Sequence, residues 1–368
     1  MDSIFVSPGR YIQGKNTLKN LGFYAEKLGK KPFILVSEGG MKRIGDMLLN
    51  ACKEKGLDAT AEIFGGESTR NEVLRLASLM EEIGSDLVIG VGGGKVTDTA
   101  KMAAVERNLP VIICPTIAAT DGPTAGRAVL YSEEHVSLQT LQLPASPNVV
   151  LVDTEVIANA PARLLVSGMG DALATYFETS TCVVTNHPAP NGGLSTLAGR
   201  ALAKACFDTL MSDGVQASID AKDHICSEAV EHIIETNTLL SGLGFESGGL
   251  GAAHAINKGL TYVRECDALY HGEKVAYGTL AQILIEEQPE ELIEQLFTFC
   301  AKVGLPVCFA DLGIEGIEEE KLWKAAEVAA DPKGHAKNEP VKVTKEMVFD
   351  AFARVDARGR ETKKKLGL

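Results

Sequence analysis

The sequence predicts an α/β domain built on a parallel, Rossmann-like sheet over residues 1–160, followed by an all-α domain over 161–368. Three observations carry this. The chain has 368 residues, more than one ordinary core organises. The first part alternates short apolar runs with helical patterns, the order of a parallel sheet with helices on both faces. After Pro161 strand-like runs almost vanish and long helical patterns take over.

Phe33-Ile34-Leu35-Val36 is the first strand, followed by a helix near 41–56 and a strand near 59–63. Thr69-Arg70-Asn71-Glu72 has the spacing of a capping box and opens a helix reaching about Ile83. Leu87-Val88-Ile89-Gly90-Val91 is continuously apolar, as a strand covered on both faces must be. A glycine cluster and a helix from about Lys95 to Val105 follow, then strands at Val111-Ile112-Ile113-Cys114 and Val149-Val150-Leu151-Val152. In the second part, helices are predicted over 198–211, 225–241, 274–287 and 289–303, with interruptions at Gly192-Gly193 and Gly248-Gly249-Leu250-Gly251. Residues 331–340, rich in Pro, Gly and charge, read as a surface loop. No internal repeat or low-complexity tract is present.

Composition excludes several classes of function. Hydrophobic residues make up 45 %, enough for a sizeable core. Lys and Arg number 36 against 49 Asp and Glu, a formal charge of −13, which argues against nucleic acid or an anionic membrane as partner. Lys363-Lys364-Lys365 reads as a solvated terminus. No apolar run reaches the ~18 residues of a membrane span, and the N-terminus lacks the basic-then-apolar order of a signal peptide. The eight cysteines form no C-x-x-C pair and read as buried thiols of a reducing cytoplasm.

Two loops and three side chains carry candidate chemistry. Gly90-Val91-Gly92-Gly93-Gly94-Lys95 joins a buried strand to a helix; glycines there let backbone approach a phosphate, and the helix start favours an anion. The run fits neither the G-x-G-x-x-G fingerprint nor a Walker A loop, so a tight turn without ligand is the alternative. Pro115 to Pro123 leaves the neighbouring strand, and its Thr116 and Asp121 have the chemistry to bond a hydroxylated ligand; an ordinary Asp-Gly-Pro turn fits equally. His254 follows a run of small residues, His271 stands at a loop-to-helix boundary, and Asp171 sits among small apolar residues that suggest burial. A buried carboxylate requires a partner or a metal, yet two separated histidines also fit an ordinary core.

These residues, read together, resemble the glycerol dehydrogenases of the iron-containing alcohol dehydrogenase superfamily. The resemblance runs nearly end to end, through Phe64–Glu72, Gly92–Lys95 with Asp98–Lys101, Pro115–Ala118 with Thr120-Asp121, and Gly170–Thr175. Its most specific stretches are Gly242–Leu250 leading into Ala252-Ala253-His254-Ala255, and His271-Gly272-Glu273-Lys274. The resemblance implies a nucleotide-binding first domain, a helical metal-binding second domain (the architecture shared with dehydroquinate synthases) and a cleft between them. It implies one divalent metal, zinc before iron or manganese, on Asp171, His254 and His271, with the substrate meeting the same three side chains. It places NAD, with NADP as the alternative, against Gly92, Gly93, Gly94, Lys95, Asp98, Thr116 and Tyr131. Asp121 and His254 are the catalytic candidates, with Asp121 facing substrate hydroxyls. The implied reaction passes a hydride from a vicinal diol such as glycerol to the nicotinamide, in a cytoplasmic homo-oligomer, often an octamer.

The departures from that family cluster at the pocket. Ser37 aligns with an acid that would bond the adenine ribose and repel a 2′-phosphate, although the adjacent Glu38 could substitute. Arg127 replaces an apolar residue and fits an anionic group on cofactor or substrate; a strand residue paired with a local acid is the alternative. Ala119, Gly122 and Ala125 also differ, and Asn257-Lys258 stands where a His-Asn pair is common. These changes keep open a 2-hydroxy acid or phosphorylated polyol as substrate. A non-redox lyase of the dehydroquinate synthase type is the rival from another reaction class.

Overall fold

A computed structural model describes all 368 residues, which cluster into two compact units. One is Val6–Pro161 with His224–Cys226; the other is Met1–Phe5, Ala162–Asp223 and Ser227–Leu368. No helix is long and apolar enough to cross a membrane.

The first unit contains β1 (Tyr11–Gly14), β2 (Pro32–Val36), β3 (Thr60–Ile63), β4 (Leu87–Gly92), β5 (Val111–Pro115), β6 (Arg127–Tyr131), β7 (Ser137–Gln142) and β8 (Val149–Asp153). Six form a wholly parallel sheet in the order β1-β8-β5-β4-β2-β3. Strands β2, β4, β5 and β8 are buried along their whole length, which is why they read as unbroken apolar runs rather than alternating ones. From β2 the chain moves outward to β3 and then returns to β4 on β2's other side. The direction of winding therefore reverses between β2 and β4, the place where doubly wound sheets bind ligands at their strands' carboxyl ends.

Three details differ from the sequence reading. The helix after β2 starts at Glu38, because Ser37 caps it: its Oγ accepts from the Gly40 N–H at 3.1 Å. Thr69 caps the Arg70–Ile83 helix through the Glu72 N–H at 3.2 Å, but the reciprocal half of the capping box is not made. Glu72 instead accepts from the Gly65 N–H at 2.8 Å and pairs with Arg75. Strands β1 and β7 were not anticipated, and β6 only through the alternative that places Arg127 on a strand: β1 is short and half-buried, while β6 and β7 form a separate antiparallel hairpin whose second strand is mostly exposed.

The second unit is helical, as expected. The predicted 198–211 helix runs over Leu197–Lys222, and the helices at 274–287 and 289–303 over His271–Ile285 and Glu290–Val303. The one expected at 225–241 begins at Glu228 behind a Ser227 cap and continues through a π turn, Thr236–Leu240, into Ser241–Gly248. It stops at Gly249, whose φ of 139° lies outside the range most side chains adopt. The sequence reading had no helix at Ala162–Thr185; that helix is buried on nearly all sides from Leu165 to Thr175, so it lacks the apolar stripe that marks a surface helix.

The Ala162–Thr185, Ala252–Leu260 and His271–Ile285 helices meet backbone to backbone. A Cβ on Gly272 would lie 1.8 Å from the Ser167 carbonyl oxygen, and one on Gly278 would lie 2.4 Å from that of Ala253. No side chain separates the helices at these points, so their spacing is fixed by glycine alone.

The segment 331–340 is a surface loop only in part. Ala336, Asn338 and Glu339 are buried. The Asn338 amide donates to the Leu250 carbonyl at 2.8 Å, and Glu339 Oε1 accepts from the Ala252 N–H at 2.7 Å. The polar composition that suggested a loop here supplies interior hydrogen bonds. Burial first, and the facing carboxyl of Glu286 second, push the Glu339 carboxyl up to about 9.

Two outcomes follow from this packing. Gly272→Ala should force the helices apart and cost about 1–3 kcal/mol or more, read as a lowered denaturant midpoint; an unchanged midpoint contradicts the packing. Glu339 is raised in the folded state, so its contribution is complete below the unfolded value of about 4.3 and is lost as pH rises through about 9. Unfolding free energy should therefore fall across that window, and Glu339→Gln, neutral at every pH, should flatten the decline; parallel profiles for the two proteins contradict it.

Candidate metal centre

Asp171 stands in the middle of the Ala162–Thr185 helix, His254 in the first turn of Ala252–Leu260, and His271 begins the next helix. The close approach of these helices brings the three side chains together. His271 Nε2 is 3.2 Å and His254 Nε2 is 3.6 Å from Asp171 Oδ1, and one ligand atom from each residue lies within 4.8 Å of the others. Asp171 is 1 % exposed, whereas the side chain of His271 is 43 % exposed, so the cluster is closed beneath and open on one side. Burial alone would raise the Asp171 carboxyl, but the electrostatic pull of His271 and the bonds from both imidazoles outweigh it and hold the group well below the ordinary carboxylate range. One carboxylate and two imidazole nitrogens are a donor set suited to zinc and related divalent metals, and three protein ligands leave a coordination position for substrate.

The helix start beneath His254 is unusually well satisfied. The Gly251 and His254 N–H groups donate to Glu178 Oε1 at 2.8 and 2.9 Å, Ala252 N–H to Glu339, and Ala253 N–H to Gln282 Oε1 at 3.0 Å. Four donors that a helix leaves orphaned thus find side chains from elsewhere in the unit. Glu178 Oε2 also lies 2.7 Å from His254 Nδ1. The sequence reading missed Glu178, yet a signal existed: it follows Asp171 by seven residues, two turns along one helix face. Asn257, singled out as a departure, has its Nδ2 3.4 Å from His271 Nδ1.

In the α/β unit, Ser37 and the glycine turn lie at the carboxyl ends of the adjacent strands β2 and β4. Gly92 ends β4, Gly93 is the N-cap of the Gly94–Arg107 helix without a side-chain cap, and a Cβ on Gly94 would meet nothing nearer than 4.0 Å. The neighbouring glycines are crowded: a Cβ on Gly93 would lie 2.9 Å from Ile117 and one on Gly92 2.7 Å from Val96. Lys95 Nζ bonds Glu67 Oε2 at 2.5 Å and lies 5.1 Å from the centre of the Tyr131 ring. Thr116 is buried beside the turn, its N–H donating to the Gly92 carbonyl at 3.0 Å. Tyr131 ends β6, and burial, then the nearby Asp98 and Glu67 carboxylates, push its hydroxyl up to about 12. Asp121 is buried just before the short Gly122–Thr124 turn.

The Asp98 side chain and the Arg127 backbone are engaged in building this unit. Asp98 Oδ2 accepts from the Val129 N–H at 2.9 Å, and Oδ1 lies 3.0 Å from the buried Lys101 Nζ. Lys101 in turn donates to the carbonyls of Gly122 and Arg127, which ties the Asp121 loop and β6 to the helix after the glycine turn. Glu38, the proposed substitute acid, is largely exposed and pairs with Lys42.

Comparison with known proteins agrees with this architecture. The model of the iron-containing alcohol dehydrogenase family matches residues 8–154. A glycerol dehydrogenase of Thermotoga maritima is 43 % identical over 97 % of this chain and 98 % of its own. A glycolaldehyde reductase of Halobacterium salinarum is 41 % identical over 99 % of this chain and 100 % of its own. The crystal structure of glycerol dehydrogenase from Schizosaccharomyces pombe superposes with a TM-score of 0.95 at 37 % identity, covering 100 % of this chain and 93 % of that one. With the sheet order, the three-residue cluster and these full-length similarities in agreement, the chain belongs to the iron-containing alcohol dehydrogenase family.

Proposed function

We propose that this chain is a metal-dependent polyol dehydrogenase that oxidises glycerol or a related vicinal diol to the hydroxyketone with a nicotinamide cofactor. The observation that carries this reading is the convergence of Asp171, His254 and His271 on one partly open point, in a chain similar over its full length to a glycerol dehydrogenase. When bound there, the metal supplies a Lewis acid that favours loss of the hydroxyl proton, and the nicotinamide accepts the hydride.

The remaining work belongs to the chain's own groups. Asp171 contributes the negative charge of the donor set, and the two histidines contribute Nε2 lone pairs. Donor chemistry supports zinc, with iron or manganese also compatible. The backbone N–H groups from Gly92 to Gly94 and the charge of Lys95 suit a pyrophosphate, with Thr116 and Tyr131 alongside and Asp98 holding the supporting hairpin. The Asp121 carboxylate is an acceptor for substrate hydroxyls. His254 belongs to the metal set, and its Nδ1 is already occupied by Glu178. Ser37 bears no charge to repel a 2′-phosphate, so NAD preference is weaker than an acid would give, and Arg127 suits an anion on the cofactor. Eight cysteines without a disulfide support a cytoplasmic setting; the homo-oligomer, octameric in the extreme, rests on the resemblance.

The deciding assay is reduction of NAD and NADP, followed by absorbance, with glycerol, 1,2-propanediol and 2-hydroxybutyrate, after chelation and again after zinc is restored. Zinc-dependent build-up of NADH with the diols is the expected result. Activity confined to the hydroxy acid would assign the pocket departures to a changed substrate, and absence of any net cofactor reduction would contradict dehydrogenase function.

A further inference from the structure

An imidazole that binds a metal through Nε2 must keep its proton on Nδ1, and something must accept that proton's hydrogen bond. The two histidines meet this requirement differently. His254 Nδ1 is 2.7 Å from Glu178 Oε2, and Glu178 is fully buried. Its other oxygen is fixed by the N–H groups of Gly251 and His254. A carboxylate in this position only accepts, so His254 carries its proton on Nδ1 and turns Nε2 toward Asp171. His271 faces a carboxamide instead. Asn257 presents Nδ2 to His271 Nδ1 at 3.4 Å, while its Oδ1 is buried with no partner. In that arrangement His271 Nδ1 is the acceptor, and the ring proton on Nε2 points at Asp171, 3.2 Å away. Turning the carboxamide over exchanges the two ends: Oδ1 gains a partner, Nδ1 becomes the donor, and Nε2 is left with a free lone pair.

We propose that Glu178 and Asn257 are the positioning residues of the metal centre, Glu178 fixing His254 permanently in its ligating tautomer and Asn257 admitting His271 to that tautomer by reversal of its side-chain amide. The proposal rests on Asp171, His254 and His271 being the metal ligands. The carboxamide serves both states of His271, with and without metal, which a side chain that only accepts would not do.

The test is zinc affinity of the full chain, stripped of metal and titrated against a competing chromophoric chelator, with the absorption spectrum of the cobalt-substituted protein as a second readout. In Glu178→Gln, the amide oxygen takes the backbone N–H bonds and the NH2 is driven against His254 Nδ1, which selects the wrong tautomer. Zinc Kd should rise about 10–100-fold and the cobalt bands should shift. Asn257→Leu should weaken zinc to a similar degree, whereas Asn257→Asp, a pure acceptor of the same size, should bind at least as well as the parent. Wild-type affinity in Glu178→Gln, or equal weakening in Asn257→Leu and Asn257→Asp, would overturn the proposal. Should Glu178→Gln not fold, judged by circular dichroism, the Asn257 pair decides. Failure of the parent chain itself to bind zinc would instead overturn the ligand assignment on which the proposal rests.

Discussion

Burial of the Asp171 carboxylate is the constraint on which the helical unit depends. A carboxylate 1 % exposed in the middle of a long apolar helix is tolerable only with positive or hydrogen-bonding partners at its oxygens. Two imidazoles provide them, and each arrives on a separate helix. Those helices reach it because Gly272 and Gly278 remove the side chains that would hold them apart. Glu178, Gln282 and Glu339 then anchor the helix start that carries His254. The three-residue cluster, the glycine contacts and the buried side chains that hold the His254 helix start are therefore one arrangement.

The α/β unit solves a different problem, that of exposing backbone to an anion without exposing core. Strands β2 and β4 are buried throughout, and the chain reverses its winding between them. The glycine turn after β4 starts its helix without a side-chain cap, while Asp98 and Lys101 hold the hairpin and the Asp121 loop in place. Lys95 rests on Glu67, which is itself held below the ordinary range because bonds from Lys95 and His135 outweigh its burial. The cation beside the turn is thus positioned before any ligand arrives.

Much of this was legible in the residues. Continuous Val, Ile and Leu runs marked β2, β4, β5 and β8 because two-sided burial leaves no alternation to misread. The three-residue cluster was legible only through resemblance: Asp171, His254 and His271 are separated by 83 and 17 positions, and no local period links them. What escaped was whatever depends on tertiary partners. The Asp171 helix is buried on nearly every side and has no stripe; the second hairpin strand is mostly exposed and the hairpin is tied down by Asp98 and Lys101; and Glu339 sits in a segment whose composition resembles solvent-exposed chain. Glu178 was accessible in principle, through its seven-residue spacing from Asp171.

The central claim is that one divalent metal binds where these three helices meet. The most direct measurement is a crystal structure of zinc-loaded protein with anomalous data at the zinc edge. The account predicts one strong peak per chain, bonded to Asp171 and to the Nε2 atoms of His254 and His271, with nitrogen distances of about 2.0–2.1 Å and the opposite side open. A peak elsewhere, or ligation through Nδ1 of either histidine, would contradict it.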